Sequence, residues 1–203
     1  MGLVAAVYRQ FHKPTGFLGR LAGWIMANRP SNVARNRWTV DLLQVQESDH
    51  VLEIGFGPGL AIQRVARLAV RGRVVGIDHS GLMVQKAARR NRSAIKTGVV
   101  DLKQGGLELL PQLGETFDKV FSVNVLQFLA NHGEAIQLIR AALKPNGLVV
   151  TTVQPRHLGA TAEDAQAFAE KLSKEMISAG FRDVTVKELD LKPLPAVCVL
   201  GRK

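Results

Sequence analysis

The chain has 203 residues, 46% of them apolar and 22% charged, with a formal net charge of +10. That length predicts one domain with a sizeable core, and the composition excludes a disordered chain. No apolar run approaches the ~18 residues of a membrane helix.

The Gly2–Val7 run is too short for the core of a signal peptide, and Met-Gly-Leu-Val-Ala-Ala lacks the serine or threonine of a myristoylation signal. The single cysteine, Cys198, falls in an expected buried strand, which excludes an internal disulfide and suits a reducing compartment. The chain therefore reads as cytoplasmic. Phe17, Leu18, Leu21, Ala22, Trp24 and Ile25 form a wide apolar stripe that stops at Pro30, and Tyr8, Phe11 and His12 cluster ahead of it. Ser31 or Asn32 can cap a second helix with Ala34, Trp38 and Leu42 on one face. This segment can cover a site, pack on a sheet edge, or lie at a membrane surface through Trp24 with Arg20 and Arg29.

From Val51 the chain alternates strands and helices, the pattern of an α/β domain with a mainly parallel sheet. Val51-Leu52-Glu53-Ile54-Gly55 is a buried strand, and Phe56-Gly57-Pro58-Gly59 turns into a helix with Ile62, Val65, Ala66 and Ala69 inward. Without Cβ atoms the glycines permit a tight turn whose backbone N–H groups can approach a bound nucleoside. Strand two, about 73–78, ends on Asp78, 19 residues beyond Gly59, where a carboxylate can accept from both hydroxyls of a ribose. Ser80 is placed to cap a helix reaching Asn91, with Met83 and Ala87 on one face. Strands three and four are about 98–103 and Phe117–Val123. A helix over about 133–143 stops at Lys144-Pro145-Asn146-Gly147, before strand five at Leu148–Val153. Thr161 and Asp164 form a capping box for a helix carrying Phe168, Leu172 and Ala179, closed by Gly180. Strands over about 182–190 and 196–202, separated by Pro193-Leu194-Pro195, read as a hairpin.

Residues 60–96 hold nine basic side chains against one acid, Asp78. In a doubly wound fold most of them sit at helix C-termini, at the sheet edge opposite the ligand crevice, where they complement the helix dipoles. No aromatic residue lies among them to stack a base, so a solvated basic face is favoured over nucleic-acid binding.

A dinucleotide fingerprint needs its third glycine at position 60, where this chain has Leu60. The pattern is acid-x-Gly-x-Gly-x-Gly from Glu53, and here the sequence resembles the class I S-adenosylmethionine-dependent methyltransferases. Phe117-Asp118-Lys119-Val120, Leu143-Lys144-Pro145-Asn146-Gly147-Leu148 and the closing hairpin extend the likeness over about residues 33–203. The resemblance implies a Rossmann-like, seven-stranded, mainly parallel sheet with the last strand antiparallel and helices on both faces. It makes 1–203 a single domain, with 1–50 as an N-terminal helical cover and 51–203 as the cofactor-binding core.

It further implies S-adenosylmethionine as cofactor, S-adenosylhomocysteine as product, and a small-molecule acceptor like those of the ubiquinone/menaquinone group. Glu53, Gly55, Phe56, Gly57, Pro58 and Gly59 would border the cofactor's methionine and ribose. Asp78 would hold the ribose, His79 and Met83 would flank the adenine, and Asn124 would lie near the methionine. Many relatives have an acid after strand three that accepts from the adenine amino group. This chain has Gln104-Gly105-Gly106-Leu107, so either backbone groups and water at Gly106 and Leu107 hold the adenine or the cofactor is bound more weakly. The Asn/Asp-Pro-Pro-aromatic motif of base and glutamine amino methylation is absent; Val123-Asn124-Val125-Leu126 stands there instead.

Displacement at a sulfonium needs alignment more than acid or base, so no catalytic residue is assigned outright. His157, His12 and Tyr8 are the candidates for a base, and Tyr8, Phe11, His12, Gln127 and His157 for substrate contact. His157 has the alternative of a solvated loop histidine. No residue is assigned to a metal. A non-catalytic nucleoside-binding protein, or an enzyme of lipid or quinone at a membrane surface, are the competing readings. Calorimetric titration should show binding of S-adenosylmethionine or S-adenosylhomocysteine and no heat with NAD; NAD binding alone would refute the cofactor assignment.

Overall fold

The computed structural model describes residues 30–157 and 159–203. Tyr8, Phe11, His12 and the Phe17–Ile25 stripe lie outside them. In chain order the helices are α1 (Pro30–Leu43), α2 (Leu60–Leu68), α3 (Gly81–Arg90), α4 (Arg92–Lys96), α5 (His132–Ala142) and α6 (Ala162–Ser178). The strands are β1 (His50–Ile54), β2 (Arg73–Asp78), β3 (Val100–Gln104), β4 (Phe117–Val123), β5 (Leu143–Val153), β6 (Arg182–Leu189) and β7 (Ala196–Arg202). One sheet holds all seven strands in the order β3-β2-β1-β4-β5-β7-β6. The pairs up to β5 are parallel, and β7 runs antiparallel to both β5 and β6.

Strand alternation divides the apolar residues between two cores. Val51, Val74, Phe121, Val150 and Cys198 face α1, α2 and α3, meeting Val40, Leu43, Ile62, Val65 and Ala87. Leu52, Val75, Val120, Val149 and Val199 face α5 and α6, meeting Ile136, Ile139, Ala165, Leu172 and Met176. Near-continuous apolar strands are what a sheet covered on both faces requires. β6 is the exception, exposed along most of its length as an edge strand. A register shift between Arg182 and Thr185, with Asp183 at φ 52°, and the charges of Lys187 and Glu188 blunt that edge.

Several local expectations need correction. α1 already includes Pro30, so Ser31 and Asn32 lie inside the helix instead of capping it. The fully buried residues of α1 are Arg35, Thr39, Val40 and Leu43, while Trp38 and Leu42 of the expected stripe pack half-buried against the same core. Thr39 Oγ1 donates to the Arg35 carbonyl at 2.9 Å and lies 2.7 Å from Thr152 Oγ1 in β5, so the buried face also carries polar groups. Ser80 occupies the N-cap of α3 without a side-chain bond. β3 starts at Val100 rather than 98, and β5 extends back through Pro145 to Leu143. The Thr161–Asp164 capping box is present.

The basic segment is partly neutralised from outside itself. Arg64 pairs with Asp41, Arg71 with Glu47, and Arg73 with Asp101 and Glu115. Among the described residues, no helix is long and apolar enough to cross a membrane. Because the Thr39–Thr152 contact is fully buried, Thr39→Val should lower unfolding stability by about 1 kcal/mol. Urea denaturation checks this, and an unchanged midpoint would mean that packing alone seats α1.

Candidate functional site

The carboxyl ends of β1, β2, β4 and β5 converge on one edge of the sheet, the place where an open α/β sheet leaves a ligand crevice. After β1 the chain passes through Gly55, Gly57 and Gly59 at φ 69°, 52° and 77°, a left-handed run that side chains resist. A Cβ on Gly55 would stand 2.4 Å from Val125 Cγ2, and one on Gly59 would stand 2.6 Å from Asn91 Nδ2. At Gly57 a Cβ would meet nothing within 4 Å, so the loop presents bare backbone to open space there.

All three glycine amides are already engaged. Gly55 N–H donates to the Ile77 carbonyl (2.8 Å), Gly57 N–H to Asp78 Oδ2 (2.8 Å) and Gly59 N–H to the Phe56 carbonyl (3.0 Å). The expectation that these amides serve a ligand is therefore corrected: the loop offers close approach, while its donors hold the loop itself. Asn91 fastens the far side, its Nδ2 donating to the carbonyls of Gly59 and Ala87.

Asp78, at the tip of β2, is buried, and its Oδ1 accepts from Ser80 N–H at 2.9 Å. Its carboxylate thus clamps the glycine loop and the start of α3 together. Each oxygen keeps a lone pair for a further donor. Beside it Glu53 is 2% exposed; the Ile62 amide in the first turn of α2 donates to it, while its Oε2 has no partner. Burial, then the charge of Asp78, pushes the Glu53 carboxyl up to about 8.

His79 is exposed, with Nδ1 3.9 Å from Asp78 Oδ1, and Met83 is buried in α3. Phe56 is buried in the core and Pro58 is half-buried in the loop. At the end of β3, Gly106 N–H donates to Glu108 Oε1 at 2.7 Å and its carbonyl accepts from Leu109 N–H. Both backbone groups of Gly106 are thus engaged, and Leu107 opens a 3-10 helix over Leu107–Gln112. Glu108 is the acid that the sequence reading passed over, two residues beyond the glycine that replaces the usual one. The Gly106 amide holds its carboxylate below the usual range.

On the β4–β5 side, Asn124 follows β4 at φ 58°; its N–H donates to the Thr152 carbonyl and its Oδ1 accepts from Gln154 N–H, each at 2.8 Å. Gln154, buried after β5, donates through Nε2 to the Leu194 carbonyl and accepts at Oε1 from both Arg35 and Arg156. Arg35 is a buried member of this cluster that the apolar-stripe reading of α1 missed. Gln127 lies half-buried in a 3-10 helix over Leu126–Phe128, its Oε1 without a partner, next to the exposed ring of Phe128. His157 is exposed and sits 3.3 Å from Asp164 Oδ2, so the solvated alternative describes its surroundings.

A model of the methyltransferase domain matches residues 52–151. The chain is 35% identical over 183 residues to the uncharacterized methyltransferase YdaC of Bacillus subtilis (strain 168), covering 90% of this chain and 98% of that one. It is 29% identical over 107 residues to a ubiquinone biosynthesis O-methyltransferase of Azorhizobium caulinodans, covering 52% of this chain and 40% of that one. The fold matches that of the N-methyltransferase NodS of Bradyrhizobium japonicum WM9, solved with S-adenosyl-l-homocysteine, with a TM-score of 0.68 at 17% identity, covering 89% and 91% of the two chains.

The Glu53 carboxyl gives the site a pH signature. Between pH about 4.5 and about 8 the unfolded chain has released this proton and the folded chain holds it, so stability falls as pH rises through that window. Glu53→Gln removes this contribution. Urea unfolding across the window should show the wild type losing stability relative to the variant; a constant difference would mean that Glu53 does not titrate there.

Proposed function

This chain belongs to the class I S-adenosylmethionine-dependent methyltransferases, and we propose that it transfers the cofactor's methyl group to a small-molecule acceptor over the carboxyl ends of β4 and β5. The residues at the β1–β2 tips fit the cofactor. The bare backbone at Gly57 leaves room beside the loop, and Glu53 Oε2, on a carboxyl that keeps its proton up to about 8, is a buried polar atom with no hydrogen-bond partner among the described residues. Asp78, with a free lone pair on each oxygen, would take the ribose hydroxyls. Glu53 and the Gly55–Gly59 backbone would border the ribose and methionine. His79 and Met83 would lie on the adenine side, and Asn124 towards the methionine. When bound, S-adenosylmethionine supplies a methyl group already activated on a sulfonium.

The chain's own residues then have mainly to position and to exclude water. Holding an acceptor in line can supply ~7–11 kcal/mol of a displacement barrier, so a sparse set of side chains is enough. Val125 and Leu126 close the apolar side of the β4 tip, and Gln127 offers an unpartnered acceptor beside them. His157 could take a proton from a hydroxyl or ammonium acceptor, with Asp164 holding its ring. Residues 1–50 are assigned as the cover of this site, Tyr8, Phe11 and His12 contributing to its substrate face. We assign its action to the cytoplasm, a reading supported by the single, buried Cys198.

The observation that carries the small-molecule reading is the commitment of Asn124. In enzymes that methylate exocyclic amines, the residue at this place belongs to a motif serving the target amine. Here Asn124 Oδ1 is occupied by Gln154 N–H, leaving it tied to the end of β5. The similarity to a ubiquinone biosynthesis O-methyltransferase supports the same direction.

Asp78→Ala should weaken S-adenosylhomocysteine binding tenfold to a hundredfold, or ~1.4–2.8 kcal/mol by calorimetry. Since Asp78 also holds Gly57 and Ser80, Asp78→Asn should retain part of that affinity. Unchanged affinity in folded Asp78→Ala would refute the ribose role. With S-adenosylmethionine present, acceptor activity in a fractionated extract should follow the low-molecular-mass fraction. Release of S-adenosylhomocysteine only with nucleic-acid or protein fractions would overturn the small-molecule reading.

A further inference from the structure

We propose that Arg35, with Arg156 beside it, forms an anion subsite in the acceptor pocket, so that the molecule receiving the methyl group carries a carboxylate or a phosphate. This rests on the methyltransferase reading and extends it to the class of substrate. Arg35 comes from the buried face of α1 and is 3% exposed. Its Nη1 donates to Gln154 Oε1 and its Nη2 to Asn32 Oδ1 (2.6 Å), while its Nε has no partner. Both acceptors are neutral amides. A guanidinium removed from water calls for an opposite charge, because amide dipoles satisfy its donors without balancing its charge.

Among the described residues no carboxylate pairs with Arg35, and none is among the groups that influence its proton. The first 40 residues contain six basic side chains and no acid, so the segment preceding α1 has no carboxylate to bring. Asp164, in the first turn of α6, accepts from Thr161 N–H and faces His157. Asp41, on α1 itself, faces Arg37 and Arg64. Arg156 adds a second positive charge, its Nη2 3.1 Å from the same Gln154 oxygen. Burial, then Arg156, weakens the hold of Arg35 on its proton, down to about 9, which still leaves a cation at neutral pH.

The position is that of an acceptor, not of the cofactor. Gln154 directly follows β5, and its backbone N–H is bonded to Asn124 at the end of β4, whereas Glu53 and Asp78 hold the tips of β1 and β2. The crevice is therefore acidic where the ribose hydroxyls would lie and cationic where the acceptor would lie. A guanidinium matches a carboxylate or a phosphate through two parallel bonds, and its planar fork fixes orientation as well as affinity. An acid group seated against Arg35 would anchor one end of the acceptor and leave the other toward the tip of β4.

The test uses the full chain loaded with S-adenosylhomocysteine and titrated calorimetrically with benzoate, phenyl phosphate and the neutral benzamide. At least one anion should bind ten times more tightly than benzamide, and the stronger of the two identifies the group. Arg35→Gln should reduce anion affinity at least tenfold with S-adenosylhomocysteine affinity unchanged. Arg35→Lys, which keeps the charge and safeguards the result if the glutamine variant fails to fold, should retain the preference for anions at reduced strength. Equal binding of benzamide and the anions, anion binding that survives folded Arg35→Gln, or no anion binding by a chain that binds S-adenosylhomocysteine would each overturn the subsite. Failure to bind S-adenosylhomocysteine at all would instead overturn the cofactor reading on which it rests.

Discussion

Glu53 and Asp78 bring two carboxyl groups out of water at adjacent strand tips, and much of the crevice is arranged around the cost of doing so. Two neighbouring carboxylates in a low dielectric resist joint ionisation. The fold keeps Asp78 supplied with two backbone donors, Gly57 and Ser80, and lets Glu53 hold its proton far above the ordinary range. Because those donors belong to the glycine loop and to the turn before α3, the charge of Asp78 organises both segments. Loop shape and electrostatics are one arrangement here: neutralising Asp78 would release the backbone that any ligand must approach.

The broad architecture was legible because its signals are local and repeated. Apolar strands at regular intervals, glycine and proline stops, and an acid at the end of strand two fix the order of elements without long-range information. What the sequence concealed depends on contacts distant along the chain. Arg35 drew no reading from the sequence, since its partner Gln154 is 119 residues away. Trp38 and Leu42 of the expected stripe do pack against the core, but bonds from Thr39 and Arg35 to residues of and after β5 place the deepest part of the helix on the neighbouring positions. The glycine amides were legible as a tight turn and misleading as donors, because periodicity carries no information on which groups close that turn.

The end of β3 shows the limit of position-by-position comparison. Gly105 and Gly106 bring no carboxyl to the end of β3, yet Glu108 folds back onto the Gly106 amide and returns a carboxylate to the same neighbourhood. The 3-10 helix over Leu107–Gln112 accompanies that displacement, and its short repeat is hard to read from sequence. Asn124 is the complementary case: the residue type matches what a family comparison singles out, while its side chain is committed to joining β4 to β5.

The contact between Gly55 and Val125 also bears on how this crevice can change over evolutionary time. The loop after β1 and the loop after β4 meet so closely that a single added carbon on Gly55 would overlap Val125. The two loops therefore share a wall with no slack in it. Residue 125 cannot be enlarged toward Gly55 without displacing the glycine loop. Change is channelled to positions off that wall, such as the half-buried Gln127 and the exposed Phe128, where substitutions can accumulate while the glycine loop stays in place.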